Sequence, residues 1–141
     1  MRFVLAAVLV CLFTIPSRAG AQEAQKWEGA DWYRIVQVDY YNGKADDARR
    51  IIEEHYMPAG EAAGTPTPVM LLWNETGEWD LTIIWHMKDG PSSMEWRRSP
   101  DSVTWWQAFV EREGGEEAAE KIQEEYSSLV ARSTSEIARS M

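Results

Sequence analysis

Cysteine, histidine and basic charge are what this 141-residue sequence is short of. Its one cysteine, Cys11, falls in the opening apolar stretch. The chain beyond it has no disulfide, no thiolate metal site and no cysteine nucleophile. The two histidines, His55 and His86, are too few for a His-rich metal site or an all-His haem site. One axial histidine on a haem stays open. A Gly-rich phosphate loop, a serine nucleophile elbow, an EF-hand and the zinc-protease pair of histidines are missing too. There is no internal repeat and no low-complexity tract. Basic side chains number 14 against 23 acidic ones, a formal net charge of −9. Such a surface disfavours nucleic acid and anionic membrane as partners and favours solubility.

The opening residues carry a targeting pattern. Arg2 gives a positive start, and Phe3–Ile15 is apolar apart from Thr14. Pro16-Ser17-Arg18 breaks the run, and Ala19-Gly20-Ala21 is a small-x-small cleavage site before Gln22. The run is too short to span a bilayer. Cys11 lacks the small residue that a lipoprotein signal needs just before it. Residues 1–21 read as a secretory signal peptide, so the expected location is periplasmic or extracellular. Cleavage would remove Arg2 and Arg18, leaving 12 of the 14 basic residues against 23 acidic ones, formally −11. Residues 22–30 read as a flexible linker and 31–141 as a single α+β domain.

What is abundant is tryptophan, eight in all, of which Trp73, Trp79 and Trp85 fall in one stretch. Thr67–Met87 reads as two apolar strands joined by the turn Asn74-Glu75-Thr76-Gly77. That turn predicts Trp73 opposite Trp79, Leu71 opposite Leu81 and Val69 opposite Ile83. Side chains alternate across a strand. One face therefore collects Val69, Leu71, Trp73, Trp79, Leu81, Ile83, Trp85 and Met87, and needs a cover of helices. The other collects Met70, Leu72, Asp80, Thr82, Ile84 and His86. It is too apolar for bulk water and too polar for a dry core, which suits a cavity wall or contact with another sheet.

Asp31–Tyr41 is the first strand, rich in aromatic and β-branched residues. Val36 and Val38 fit the helix-covered face; Tyr33, Ile35, Gln37, Asp39 and Tyr41 fit the mixed one. Ala45–Ala63 reads as a helix burying Ala48, Ile51, Ile52, His55 and Tyr56, with Pro58 ending or kinking it. A helix starting at Pro100 or Asp101 places Val103, Trp106, Phe109 and Val110 on one face. Gly114-Gly115 breaks it. Glu116–Arg139 reads as one long amphipathic helix through Ala119, Ile122, Tyr126, Leu129, Val130, Ser133 and Ile137.

The resulting order is β-α-β-β-α-α, an antiparallel sheet with helices on one face and a long C-terminal helix. The strand and turn Val36-Gln37-Val38-Asp39-Tyr40-Tyr41-Asn42-Gly43-Lys44, its following helix and the hairpin 67–87 resemble the dimeric α/β-barrel superfamily. The resemblance covers about residues 31–110 and is fold-level. It implies two ferredoxin-like sheets paired face to face, hence a homodimer. Members include cofactor-free monooxygenases, haem-degrading enzymes, small stress-response proteins and many of no known activity. The superfamily's fourth strand finds no counterpart, because Glu116–Met141 reads as helix. No catalytic motif maps onto this chain.

Candidate chemistry centres on the mixed face. His86 with Asp39 would form an acid/base pair, with Tyr33, Gln37, Tyr41 and Thr82 as ligand-binding walls for a small apolar ligand. The plainer account of His86 is a partly exposed histidine near a strand end, hydrogen-bonded to backbone. Tyr33 and Tyr41 can equally be core. His55 suits the border of the buried stripe better than a ligand role, and no metal site is assigned. Two functions remain open. One is an exported protein that dimerises or binds an apolar ligand on one sheet face. The other is a cofactor-free monooxygenase-like or haem-related enzyme. A structural protein with no ligand is the plain alternative.

Overall fold

A computed structural model describes residues 23–141; the leader assigned to 1–21 lies outside them. Residues 23–31 lead without regular structure into strand β1, Trp32–Tyr40. Helix α1, Ala45–Ile51, runs through a widened π turn, Ile52–Tyr56, into α2, Met57–Ala63. Strands β2, Met70–Trp73, and β3, Leu81–His86, follow. A short 3-10 turn, Gly90–Glu95, precedes helices α3, Pro100–Arg112, and α4, Glu116–Leu129. The chain then forms strand β4, Val130–Arg139. All pairings are antiparallel and the sheet order is β2-β3-β1-β4. The fold is α+β and ferredoxin-like.

The π turn has a local cause. Pro58 has no N–H to give the carbonyl four residues back, and its ring crowds that carbonyl. The helix widens so that Met57 N–H reaches Ile52 O, five residues back, and continues instead of ending. It stops at Gly64, whose φ of 63° is left-handed and costs glycine nothing. Ser99 caps α3 by accepting the Ser102 N–H at 3.1 Å.

Helices cover one sheet face. Val38, Tyr40, Leu81, Ala48, Ile51, Ile52 and Leu129 form the main core, and Ala59, Phe109 and Ala119 a second one between helices. Partly buried Tyr56 and Ile122 pack against both cores. Buried Tyr40 and partly buried Tyr126 and Tyr56 make a phenol cluster, with Tyr40 Oη and Tyr126 Oη 2.9 Å apart. Burial, and for Tyr40 next the bond to Tyr126, raises the pKa values of Tyr40 and Tyr56 well above the ordinary phenol range; burial also raises that of Tyr126, against the lowering effect of its bond to Tyr40. Val103, expected in the helix stripe, is exposed; Trp105 takes its place, stacked on Phe109 and donating Nε1–H to Tyr56 O.

Two expectations change. The hairpin pairs Trp73 with Leu81 and Leu71 with Ile83, two residues out of the predicted register. The loop runs Asn74 to Asp80, closed by Asn74 N–H to Asp80 O at 2.8 Å. Asn74 Nδ2 also donates to Trp79 O and Thr82 Oγ1. Asp80 leaves the mixed face: its N–H bonds Val38 O and its carboxylate accepts Tyr40 N–H. Because the shift is an even number, the facing of the strand residues survives. The second change is at the C-terminus. The helix from Glu116 is present but ends at Leu129, and Val130–Arg139 pairs along β1 instead of extending it. Without β4 the first strand would be the edge of the sheet, with a row of backbone donors and acceptors left unpaired.

Candidate functional site

The face of the sheet away from the helices is open among the described residues. Alternation brings Tyr33, Ile35, Gln37 and Asp39 of β1 to it, opposite His86, Ile84 and Thr82 of β3. β2 adds Met70 and Leu72, and β4 adds Arg132, Thr134, Glu136 and Ala138. Met70 is 52% exposed and Leu72 46%. A shallow hollow of about 470 Å³ lies on this face, bordered by Tyr33, Ile35, Met70, Ile84, Ala138 and Ser140. Its lining is mostly apolar.

The residues anticipated for the site are on this face but not in one place. His86 stands opposite Tyr33, with their rings 5.6 Å apart. Asp39 lies six positions further along β1, about 20 Å away at 3.3 Å per residue. It is held by Arg132 Nε at 2.9 Å, and Arg132 also bonds Glu78 and lies over the Trp79 ring. His86 and Asp39 are therefore not one acid/base unit. Gln37 and Thr82 pair with each other midway between the two ends. Tyr41 lies past the irregularity at Asp39/Tyr40, is 58% exposed, and gives its N–H to Leu129 O. Of the four expected walls, only Tyr33 borders the hollow.

The carboxylate beside His86 is Asp31. His86 Nε2 and Asp31 Oδ1 are 3.3 Å apart, and both side chains are substantially exposed. An ionised carboxylate only accepts, so the imidazole donates from Nε2 and, when neutral, keeps a lone pair on Nδ1. Asp31 is fixed by the end of β4: its N–H reaches Ser140 Oγ at 3.0 Å, and Ser140 N–H reaches Asp31 O at 2.9 Å. Register could have exposed this partner. Asp31 has the parity of Tyr33, and Tyr33 is the residue opposite His86. The contributions of Ala138 and Ser140 were hidden because β4 read as helix.

The other histidine is structural in position. His55 Nδ1 meets Glu113 Oε1 at 3.0 Å, tying the π turn to the end of α3. No cluster of three or more metal-ligating side chains occurs among the described residues.

The fold is similar to that of solved NIPSNAP proteins. One, from Agrobacterium tumefaciens, is described as a NIPSNAP family protein with unknown function. It shares 14% identity, with a TM-score of 0.51 over 78% of this chain and 87% of that one. Another, an uncharacterized NIPSNAP-like domain protein from Burkholderia xenovorans, gives 10% identity and a TM-score of 0.52 over 79% of this chain and 85% of that one. No family model and no curated protein matches the sequence. At these identities the likeness concerns architecture alone, and it matches the ferredoxin-like reading of the sequence.

Proposed function

We propose that this is an exported protein that pairs with a second copy through the open sheet face and holds a small apolar ligand between the two. The observation behind this reading is the exposure of Met70 and Leu72 on a face shared with Ile35, Ile84 and Tyr33. Water penalises such a patch by roughly 25 cal/mol per Å². The strands hold 9, 4, 6 and 10 residues; at about 3.3 Å per residue and about 4.8 Å between strands they offer on the order of 450 Å² of projected area. That is somewhat over half of the roughly 800 Å² per partner of an ordinary stable interface. Light scattering behind size exclusion tests it at micromolar concentration. The Met70→Lys/Leu72→Lys double variant is expected to halve the particle mass while circular dichroism stays unchanged. An unaltered mass would overturn the reading. Native mass spectrometry of protein from its own host then reports any retained small molecule.

The His86–Asp31 contact favours a second reading, an acid/base enzyme of the monooxygenase-like or haem-related kind. His86→Ala would then abolish turnover of a substrate held in the hollow with the melting temperature nearly unchanged. A loss of stability instead would mark His86 as structural.

A further inference from the structure

A second hollow, of about 470 Å³, lies in the helical layer, apart from the open sheet face. Helices α3 and α4 wall it, joined by the short turn at Gly114-Gly115. α3 contributes Trp105 and Trp106, and α4 contributes Glu116, Glu120 and Gln123, whose spacing puts them on one stripe of that helix. Arg98 borders the hollow just before α3. The indole walls are held in place. Trp105 stacks on Phe109 with rings 5.0 Å apart and donates Nε1–H to Tyr56 O, and Trp106 packs on the same Phe109. Charges of both signs reach this hollow unpaired. Among the described residues Arg98, Glu116 and Glu120 form no ion pair, while Lys121 of α4 takes Glu117. Two carboxylates one turn apart repel each other, so the helix itself gains nothing from placing Glu116 beside Glu120.

We propose that this cleft binds a short peptide with free ends, its ammonium at Glu116 and Glu120, its carboxylate at Arg98 and an apolar side chain against Trp105 and Trp106. Charge complementarity selects this occupant. An ammonium answers the two carboxylates, and a guanidinium fork matches a carboxylate in two parallel bonds. A simple amine leaves Arg98 unanswered, and a simple carboxylate leaves both glutamates so. The placing of the charges separates a peptide from a free amino acid. Arg98 precedes the first turn of α3 and Glu116 follows its last. The two signs therefore stand at opposite ends of a 13-residue helix, about 20 Å long at about 1.5 Å per residue. An amino acid carries both charges on one carbon and spans no such gap, even with long side chains reaching inward. A peptide lengthens by about 3.3–3.6 Å per residue and does. Gln123 offers a donor and an acceptor to a peptide group between the ends. The half-buried indoles suit an aliphatic side chain. This hollow lies in a different layer from the face contact proposed above and does not depend on it.

Isothermal titration of the full-length protein with the tripeptide alanyl-leucyl-alanine tests it. The free tripeptide is expected to saturate one site per chain. Acetylating its amine, or amidating its carboxylate, is expected to weaken binding about tenfold or more, since each removes one charge-assisted contact. The variants assign the ends. Glu116→Gln/Glu120→Gln is expected to bind the acetylated and free peptides alike while still discriminating against the amide. Arg98→Gln is expected to do the reverse. Circular dichroism of each variant checks that the fold is retained. Absence of saturable binding, or capped peptides that bind wild type as tightly as the free one, would overturn the proposal. So would a penalty for acetylation that persists in the glutamate variant, or butylamine binding as tightly as the tripeptide, which would assign the cleft to cations alone.

Discussion

Leu81 and Leu72 show how differently the two faces of one sheet are treated. They sit on neighbouring strands and differ only in which way the pleat turns them. Leu81 points to the helices and is fully buried among Val38, Ile51 and Leu129. Leu72 points the other way and is 46% exposed. The closed face gathers aliphatic and phenolic side chains into a dry core that holds the subunit together. The open face leaves its apolar residues exposed and mixes them with His86, Asp39 and Arg132. Folding explains the closed face; it does not explain the apolar residues of the open one.

The largest effect should come from the closed face. Leu81→Ala is expected to cost about 2–5 kcal/mol, the usual range for a leucine deleted where neighbours cannot collapse inward. Chemical denaturation would read this as a lower midpoint at constant slope, and heating as a melting temperature lower by about 10 °C or more. A loss below about 1 kcal/mol would mean that the helices do not seal this face as packed.

Much of this division was legible in the sequence, because it rests on alternation alone. Period-two patterning turned Leu71, Trp73, Leu81 and Ile83 one way, and Met70, Leu72, Ile84 and His86 the other. The structure keeps these residues as expected, but Val69, expected on the helix-covered face, is exposed and borders the hollow on the open one. Pairing was less legible. The hairpin loop is set by Asp80 bonding to Val38 and Tyr40, forty residues back in the chain for the second contact, and no turn rule sees that. For the same reason Trp79 leaves the strand and lies against Arg132. The fourth strand was invisible. Val130, Ser133 and Ile137 continue the helical spacing of Tyr126, and only the vacant edge of β1 makes a strand the better solution. Local propensity is a weak prior against ten residues of backbone pairing. His86 lies on the face that its parity predicts, but the carboxylate beside it, Asp31, depends on register.

An intermediate effect should appear on titration to high pH. Burial holds the phenols of Tyr40, Tyr56 and Tyr126 protonated in the folded chain beyond the ordinary value of 10.0. The unfolded chain ionises near that value, so above it the unfolded state binds fewer protons and stability falls with rising pH. Below about pH 10 these groups contribute no slope. Above it each adds up to about 1.4 kcal/mol per pH unit. Urea unfolding at pH 9, 10 and 11 should therefore show a flat step and then a steep one. Tyr126→Phe should make the second step shallower, since one ionisable phenol is gone. An unchanged slope would show that the cluster opens to water before the subunit unfolds.

The smallest effect is the sharpest test of the contrast between the faces. Leu72→Ala removes as many atoms as Leu81→Ala, from a side chain that still meets water in the single subunit. There it should change stability by no more than about 0.5 kcal/mol. On the proposed pairing the open face would acquire its cover only on association, which is concentration-dependent and adds to stability by mass action. Unfolding curves of wild type and Leu72→Ala should thus nearly coincide at nanomolar protein and separate at tens of micromolar. Leu81→Ala should show the same deficit at both concentrations, because its neighbours belong to its own subunit. A Leu72→Ala deficit that is large and independent of concentration would place this leucine in the subunit's own core, and the open face would no longer differ from the closed one.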